Sequence, residues 1–299
     1  MRDTRTRFIT PEEEAAPYPY RRVWRSLILE IVLLAALAGG IYALVGLAGF
    51  RLPASLTPFI GLALALAPFG FWLVFSWWAE RRAPEPRSGL MIVVLLTALA
   101  ANGVTYPLIE QVLQPQAWLS QSSAITRVAG YALSIGIAVE ITKYLVLRYS
   151  IWPARLRVRV DGIAYALAAS IGMATVGNLH NLVIPGITLP SLAILVLDTT
   201  VTGIAAGLLV GYGLSEMAIG RPTPFLGPIS VGLAALVHGL AIPLRTGLGN
   251  AGFTLAGGAA HPILGVGISF GLLIGTGIVV SFLFSASERR EREAAAGES

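Results

Sequence analysis

Eight runs of about 20 apolar residues divide this chain, at 31–50, 59–78, 90–108, 128–147, 163–184, 192–214, 225–243 and 262–284. Each is long and continuous, with no alternation of polar and apolar positions. Such runs form membrane-spanning helices rather than barrel strands, because hydrocarbon offers nothing to satisfy a backbone N–H or C=O except the segment's own helix. Only 12% of the 299 residues are charged and the mean hydropathy is +0.74, whereas soluble domains carry roughly 25% charge. The expected fold is therefore all-α and polytopic, with eight transmembrane helices and the lipid bilayer as its first partner.

The net charge of +5 would suggest nucleic acid in a soluble protein. Here the basic residues sit in short segments between apolar runs, a pattern of membrane topology that excludes a nucleic-acid partner. Eight spans put both ends on one side. Eighteen of the 21 basic residues fall on that side, leaving only Arg51, Arg127 and Arg245 opposite, so the terminal side is expected to be cytoplasmic and the membrane to be the plasma membrane. Residues 1–26 are polar, with Glu12, Glu13 and Glu14 between Pro11 and Pro17. They lack the short apolar core of a cleaved signal and are expected to form a disordered cytoplasmic tail. The division that follows is a tail at 1–26, a membrane domain at 27–285 and a charged cytoplasmic tail at 286–299. A polar external loop is expected at 110–123. Glycine recurs every fourth residue at Gly203, Gly207 and Gly211 and again at Gly267, Gly271 and Gly275, faces read as internal helix packing.

Charge inside a hydrocarbon span marks a functional site by default, since an ionised group at mid-helix costs about 2.5 to 3.5 kcal/mol on insertion scales. Glu140 and Lys143, the chain's one lysine, lie three apart and share a helix face. Two readings stand side by side: a structural ion pair, or a Glu140 carboxylate poised to activate water with His238 as general acid or oxyanion donor. Asp198 and Thr202 are four apart, and Asn178 lies at a compatible depth, which suggests a polar clasp between the fifth and sixth spans. Asp161 opens the fifth span, where it can cap the helix and meet Arg157 or Arg159. His180 and His261 are expected near the outer surface. Tyr165 and Asn178 are thirteen residues apart, about 140° out of phase at about 100° per residue, so both face one cavity only if the helix bends, for which Gly172 is the candidate.

No cysteine is present and three histidines occur without HExxH spacing, so no metal ligand set is read from the sequence. There is no glycine-rich phosphate loop and no GxSxG elbow, and no cofactor is expected.

These motifs resemble the PrsW family of intramembrane proteases, within the wider group that includes the CAAX-processing enzymes. The family pattern is a paired-glutamate EExxK on one helix and DGxxYGxxxGxGFxxxEN opening the next, followed by two helices that each bring a histidine. Here VEITK matches at Glu140 and Lys143, DGIAYALAASIGMATVGN at Asp161, Gly162, Tyr165, Gly172 and Asn178, and VHGLAIP at His238 and Gly239. The departures are Val139 in place of the first glutamate, Gly177 in place of the glutamate before Asn178, and Thr202 and Gly203 near the place of the missing histidine. The resemblance implies a bacterial inner-membrane protein whose glutamates and histidines activate water and stabilise an oxyanion. With one of each kept, the expectation is a pseudoenzyme that binds other membrane proteins as a complex subunit. The alternative is an active endopeptidase that uses Glu140 and His238 on a membrane-anchored protein.

Overall fold

The computed structural model describes residues 20–83, 86–220, 225–250 and 262–297. Eight helices long and apolar enough to cross a membrane lie among them: α1 Val23–Leu47, α2 Thr57–Arg81, α3 Leu90–Leu119, α4 Ala124–Ser150, α5 Arg159–Leu182, α6 Leu189–Ile219, α7 Leu226–Thr246 and α8 Gly265–Arg290. No strand occurs among the described residues. The all-α, eight-span reading of the sequence holds.

Packing separates two central helices from the rest. Helices α5 and α6 form the centre of the bundle, with 89% and 83% of their apolar windows buried, against 22% for α1 and 17% for α8. Small side chains let backbones approach closely, and in lipid this close packing, not exclusion from water, holds helices together. A Cβ at Gly211 would lie 2.8 Å from the Gly162 carbonyl oxygen, and one at Gly207 would lie 2.3 Å from Ser170 Oγ. Around this pair α2 and α3 cover α5, while α1, α7 and α8 cover α6, and α4 lies against α7.

Several boundaries differ from the sequence reading. A helix begins at Tyr20, inside the segment read as a tail; residues 1–19 and His261 lie outside the described residues. At the other end the last helix continues to Gly297 without a break. The expected external loop at 110–123 is largely helical: α3 runs on through Leu108–Leu113, turns at Gln114 with φ 41°, and resumes at Pro115–Leu119. Polar side chains misled there, because the helix projects past the apolar run. The glycine face of α8 is also not internal. Gly267, Gly271 and Gly275 are exposed, and among the described residues a Cβ at any of them would meet nothing within 4 Å.

Candidate functional site: a buried ion cluster behind a mid-membrane cavity

Helices α4 and α7 cross almost backbone to backbone. A Cβ at Gly136 would lie 2.4 Å from the Ala235 carbonyl oxygen, and one at Gly239 would lie 2.5 Å from that of Val128. One turn beyond Gly136 stands Glu140, and beside Gly239 stands His238. The crossing brings them together, with His238 Nε2 2.8 Å from Glu140 Oε1.

The same oxygen also takes Lys143 Nζ at 2.7 Å. Lys143 donates further to Ser170 Oγ of α5 at 3.3 Å and to the Gly203 carbonyl of α6 at 3.1 Å, while Ser170 Oγ donates to that carbonyl at 2.9 Å. All three donors of the ammonium are thus used; three helices meet at the cation, and α7 joins them through His238 on the carboxylate. Glu140 is 0% and Lys143 1% exposed. Because an ionised carboxylate only accepts, the Nε2 of His238 carries the donated proton. Glu140 Oε2 is buried with no hydrogen-bond partner among the described residues. The two readings of Glu140 therefore meet in one cluster: it is a structural partner of Lys143 and a direct neighbour of His238.

A cavity of about 340 Å³ lies in front of this cluster, walled by α3 to α7. His238 lines it; Glu140 and Lys143 do not. All the positions at which this chain departs from the EExxK, EN and histidine pattern border this same space: Val139, Gly177, Thr202 and Gly203. At Gly177 the room that a side chain would need is taken, since a Cβ there would lie 2.1 Å from the Tyr106 hydroxyl. Tyr106 stacks on His180 with ring centroids 4.7 Å apart, and His180 Nδ1 lies 3.0 Å from Glu110 Oε1. π-Helical turns at Ala101–Thr105 and Ala132–Gly136 adjust the faces of α3 and α4 around the cavity, a frequent use of such turns at functional sites.

The other polar residues singled out in the sequence lie elsewhere. Asp161 caps α5 through Oδ2, which accepts from the backbone N–H groups of Arg157 at 2.8 Å and Val158 at 3.0 Å. Its ion pair is with Arg87 at 2.7 Å, and Arg87 also pairs with Glu80 at 2.8 Å. Tyr165 donates to the Ser88 carbonyl at 2.9 Å. Asp161 and Tyr165 thus fasten the loop between α2 and α3. Asn178 Nδ2 donates to Thr200 Oγ1 at 3.4 Å. Neither Tyr165 nor Asn178 lines the cavity; on the unbroken α5 their phase difference leaves room for one of them at most, and Gly172 marks contact with Val94 of α3, not a bend.

The fifth and sixth spans do meet through Asn178, but its partner is Thr200 and not the expected Asp198 and Thr202. Asp198 instead meets Arg245 of α7 and Ser269 of α8, and Thr202 Oγ1 donates to Ser269 Oγ at 3.1 Å. Asp198 and Thr202 thus join the sixth span to the seventh and eighth, while Thr200, two residues from each and so on another face of the helix, takes Asn178. Sequence reasoning also missed Ser170 and Tyr106. Ser170 stands at a glycine position of the quoted pattern and could have been flagged; Tyr106 owes its place to Gly177, seventy-one residues away, and carries no local signal.

Residues 85–240 match the model of a family described as PrsW family intramembrane metalloprotease. No curated protein and no solved structure matches the chain. That description implies a metal ion, and the residues here do not fit one. Among the described residues no three His, Cys, Asp or Glu side chains gather; Glu140 and His238 supply two donors, and Lys143 already places a cation on the carboxylate. The matched region covers more than half of the 299 residues and contains the α4 cluster, the α5 cap and the α7 histidine, so the chain belongs to the PrsW family.

Proposed function

We propose that this protein is a catalytically inactive PrsW-family member that binds other membrane proteins as a subunit of a complex in the plasma membrane, with both termini cytoplasmic. The observation that carries the reading is the state of Glu140. Its one partnered oxygen holds both Lys143 and His238, and the residue is sealed from the cavity. Amide hydrolysis needs a base that reaches water, an acid for the leaving nitrogen and donors for the oxyanion. Along this cavity the positions concerned present Val139, Gly177, Thr202 and Gly203, none of them an acid or a base, and the Thr202 hydroxyl is donated to Ser269. The arginine distribution supports cytoplasmic termini and cytoplasmic ends at 1–26 and 286–299.

One contact favours the endopeptidase as second reading. An imidazole held at Nε2 by a buried carboxylate has its other ring nitrogen available as a base, and His238 does line the cavity.

The test is reconstitution of the purified chain in vesicles with transmembrane peptide substrates, alongside mild solubilisation from native membranes and mass analysis. The expected result is no cleavage and recovery in a stoichiometric assembly. Cleavage that stops in both Glu140→Ala and His238→Ala overturns the proposal in favour of the protease.

A further inference from the structure

We infer that the cavity in front of His238 holds the ester end of a membrane-lipid acyl chain, with the Tyr106 hydroxyl as hydrogen-bond donor to the ester carbonyl. This goes beyond the protein-binding reading above and rests on its non-hydrolytic part.

Three observations point the same way. The first is an unsatisfied donor. Tyrosine hydroxyls in protein interiors find a partner, yet the Tyr106 hydroxyl, which stands over Gly177 at the cavity wall, has no hydrogen bond among the described residues. Thr199 meets the same glycine through its methyl group, so the Tyr106 hydroxyl is the polar atom that faces Gly177.

The second is charge. The charged groups at the wall are engaged within the protein: Arg245 pairs with Asp198, Glu110 hydrogen-bonds His180, and His238 hydrogen-bonds the Glu140–Lys143 pair. Ile135, Met173, Leu195 and Ile242 make the remaining wall apolar. A volume of about 340 Å³ sits at the lower end of sites for single ligands, about 300 to 1,000 Å³. The occupant is therefore a single neutral, mainly apolar group with one carbonyl acceptor.

The third is depth. Tyr106 lies sixteen residues into α3 from Leu90, about 24 Å along the helix axis at 1.5 Å per residue. In a hydrocarbon core about 30 Å thick that is close to the far boundary, the level at which lipid esters join their chains. The cavity continues inward from there to His238, along the direction an acyl chain takes.

The experiment compares ester and ether phosphatidylcholine. Full-length protein is reconstituted in nanodiscs with equal amounts of both, extracted in mild detergent, and its retained lipid is counted by native mass spectrometry. Wild type should retain the ester lipid about three- to tenfold over the ether analogue, the worth of one hydrogen bond to the carbonyl. Tyr106→Phe keeps the stack on His180 and should remove that preference. Ala174→Phe, which fills the wall and leaves Tyr106 in place, should lower retention of both lipids and so sets the background of loosely held lipid. Equal retention of the two lipids by wild type, or retention no greater than in Ala174→Phe, overturns the inference and leaves the non-hydrolytic reading standing. Release of fatty acid and lysolipid would support the chain's place in the cavity and sink the non-hydrolytic reading instead.

Discussion

Replacing Glu140 by Gln keeps the shape of the side chain and removes the charge that faces Lys143. Lys143 is 1% exposed and cannot reach water, so the substitution leaves a cation in the bundle with neutral partners only. Breaking a buried pair in this way costs about 3 to 5 kcal/mol. Ser170 and the Gly203 carbonyl still hold the ammonium, which places the expected loss near the lower end, about 3 kcal/mol. Lys143→Met then removes the stranded charge at similar volume, and the Ser170–Gly203 hydrogen bond at 2.9 Å keeps those two groups satisfied. The double variant should recover more than half of the loss, a coupling of about 2 kcal/mol, well above the roughly 0.5 kcal/mol scatter of independent sites. Unfolding in detergent by SDS titration, followed by the fluorescence of the six tryptophans, measures all four corners of the cycle. A stable Glu140→Gln, or additive single effects, would show that the pair does not hold the bundle together, and the structural account of this glutamate would be wrong.

Other consequences are as direct. Gly177→Ala pushes a methyl against the Tyr106 hydroxyl and should cost about 1 to 3 kcal/mol as overpacking; Tyr106→Phe in the same chain should recover part of it, and additive effects in the same titration would refute the contact. Gly211→Ala meets the Gly162 backbone and should lower the thermal midpoint, whereas Gly271→Ala, with nothing within 4 Å, should leave it unchanged; equal effects would contradict the packing of α6 and α8. Asp161→Asn weakens both the Arg87 pair and the α5 cap and should cost about 1 to 3 kcal/mol, with faster protease cutting of the loop between α2 and α3 as its signature. Single cysteines placed in this cysteine-free chain at the exposed Ser88 and Ser120 should label from opposite faces, Ser88 from the cytoplasm; the reverse pattern would overturn the proposed orientation.

The sequence alone determined the number of spans and the place of the charged helix pair. Hydropathy and a three-residue spacing are local properties, and a spanning helix satisfies its own backbone, so nothing distant alters them. It also identified the motif order that marks the family, and the phase argument that separates Tyr165 from Asn178 needed only helical geometry. Tertiary structure decided everything that depends on which face meets which. Asp198 took Arg245 and Ser269 as partners instead of Asn178, because depth in the membrane fixes which polar groups are level but not which way each helix is turned. Arg87, counted in the sequence only for its side of the membrane, became the partner of Asp161 across the fold. Glu140 and His238 are ninety-eight residues apart in the chain and touch because α4 and α7 cross at Gly136 and Gly239. The space that defines the cavity exists only where five helices leave it, and its polar edge, Tyr106 over Gly177, is a fit between two positions that neither position carries alone.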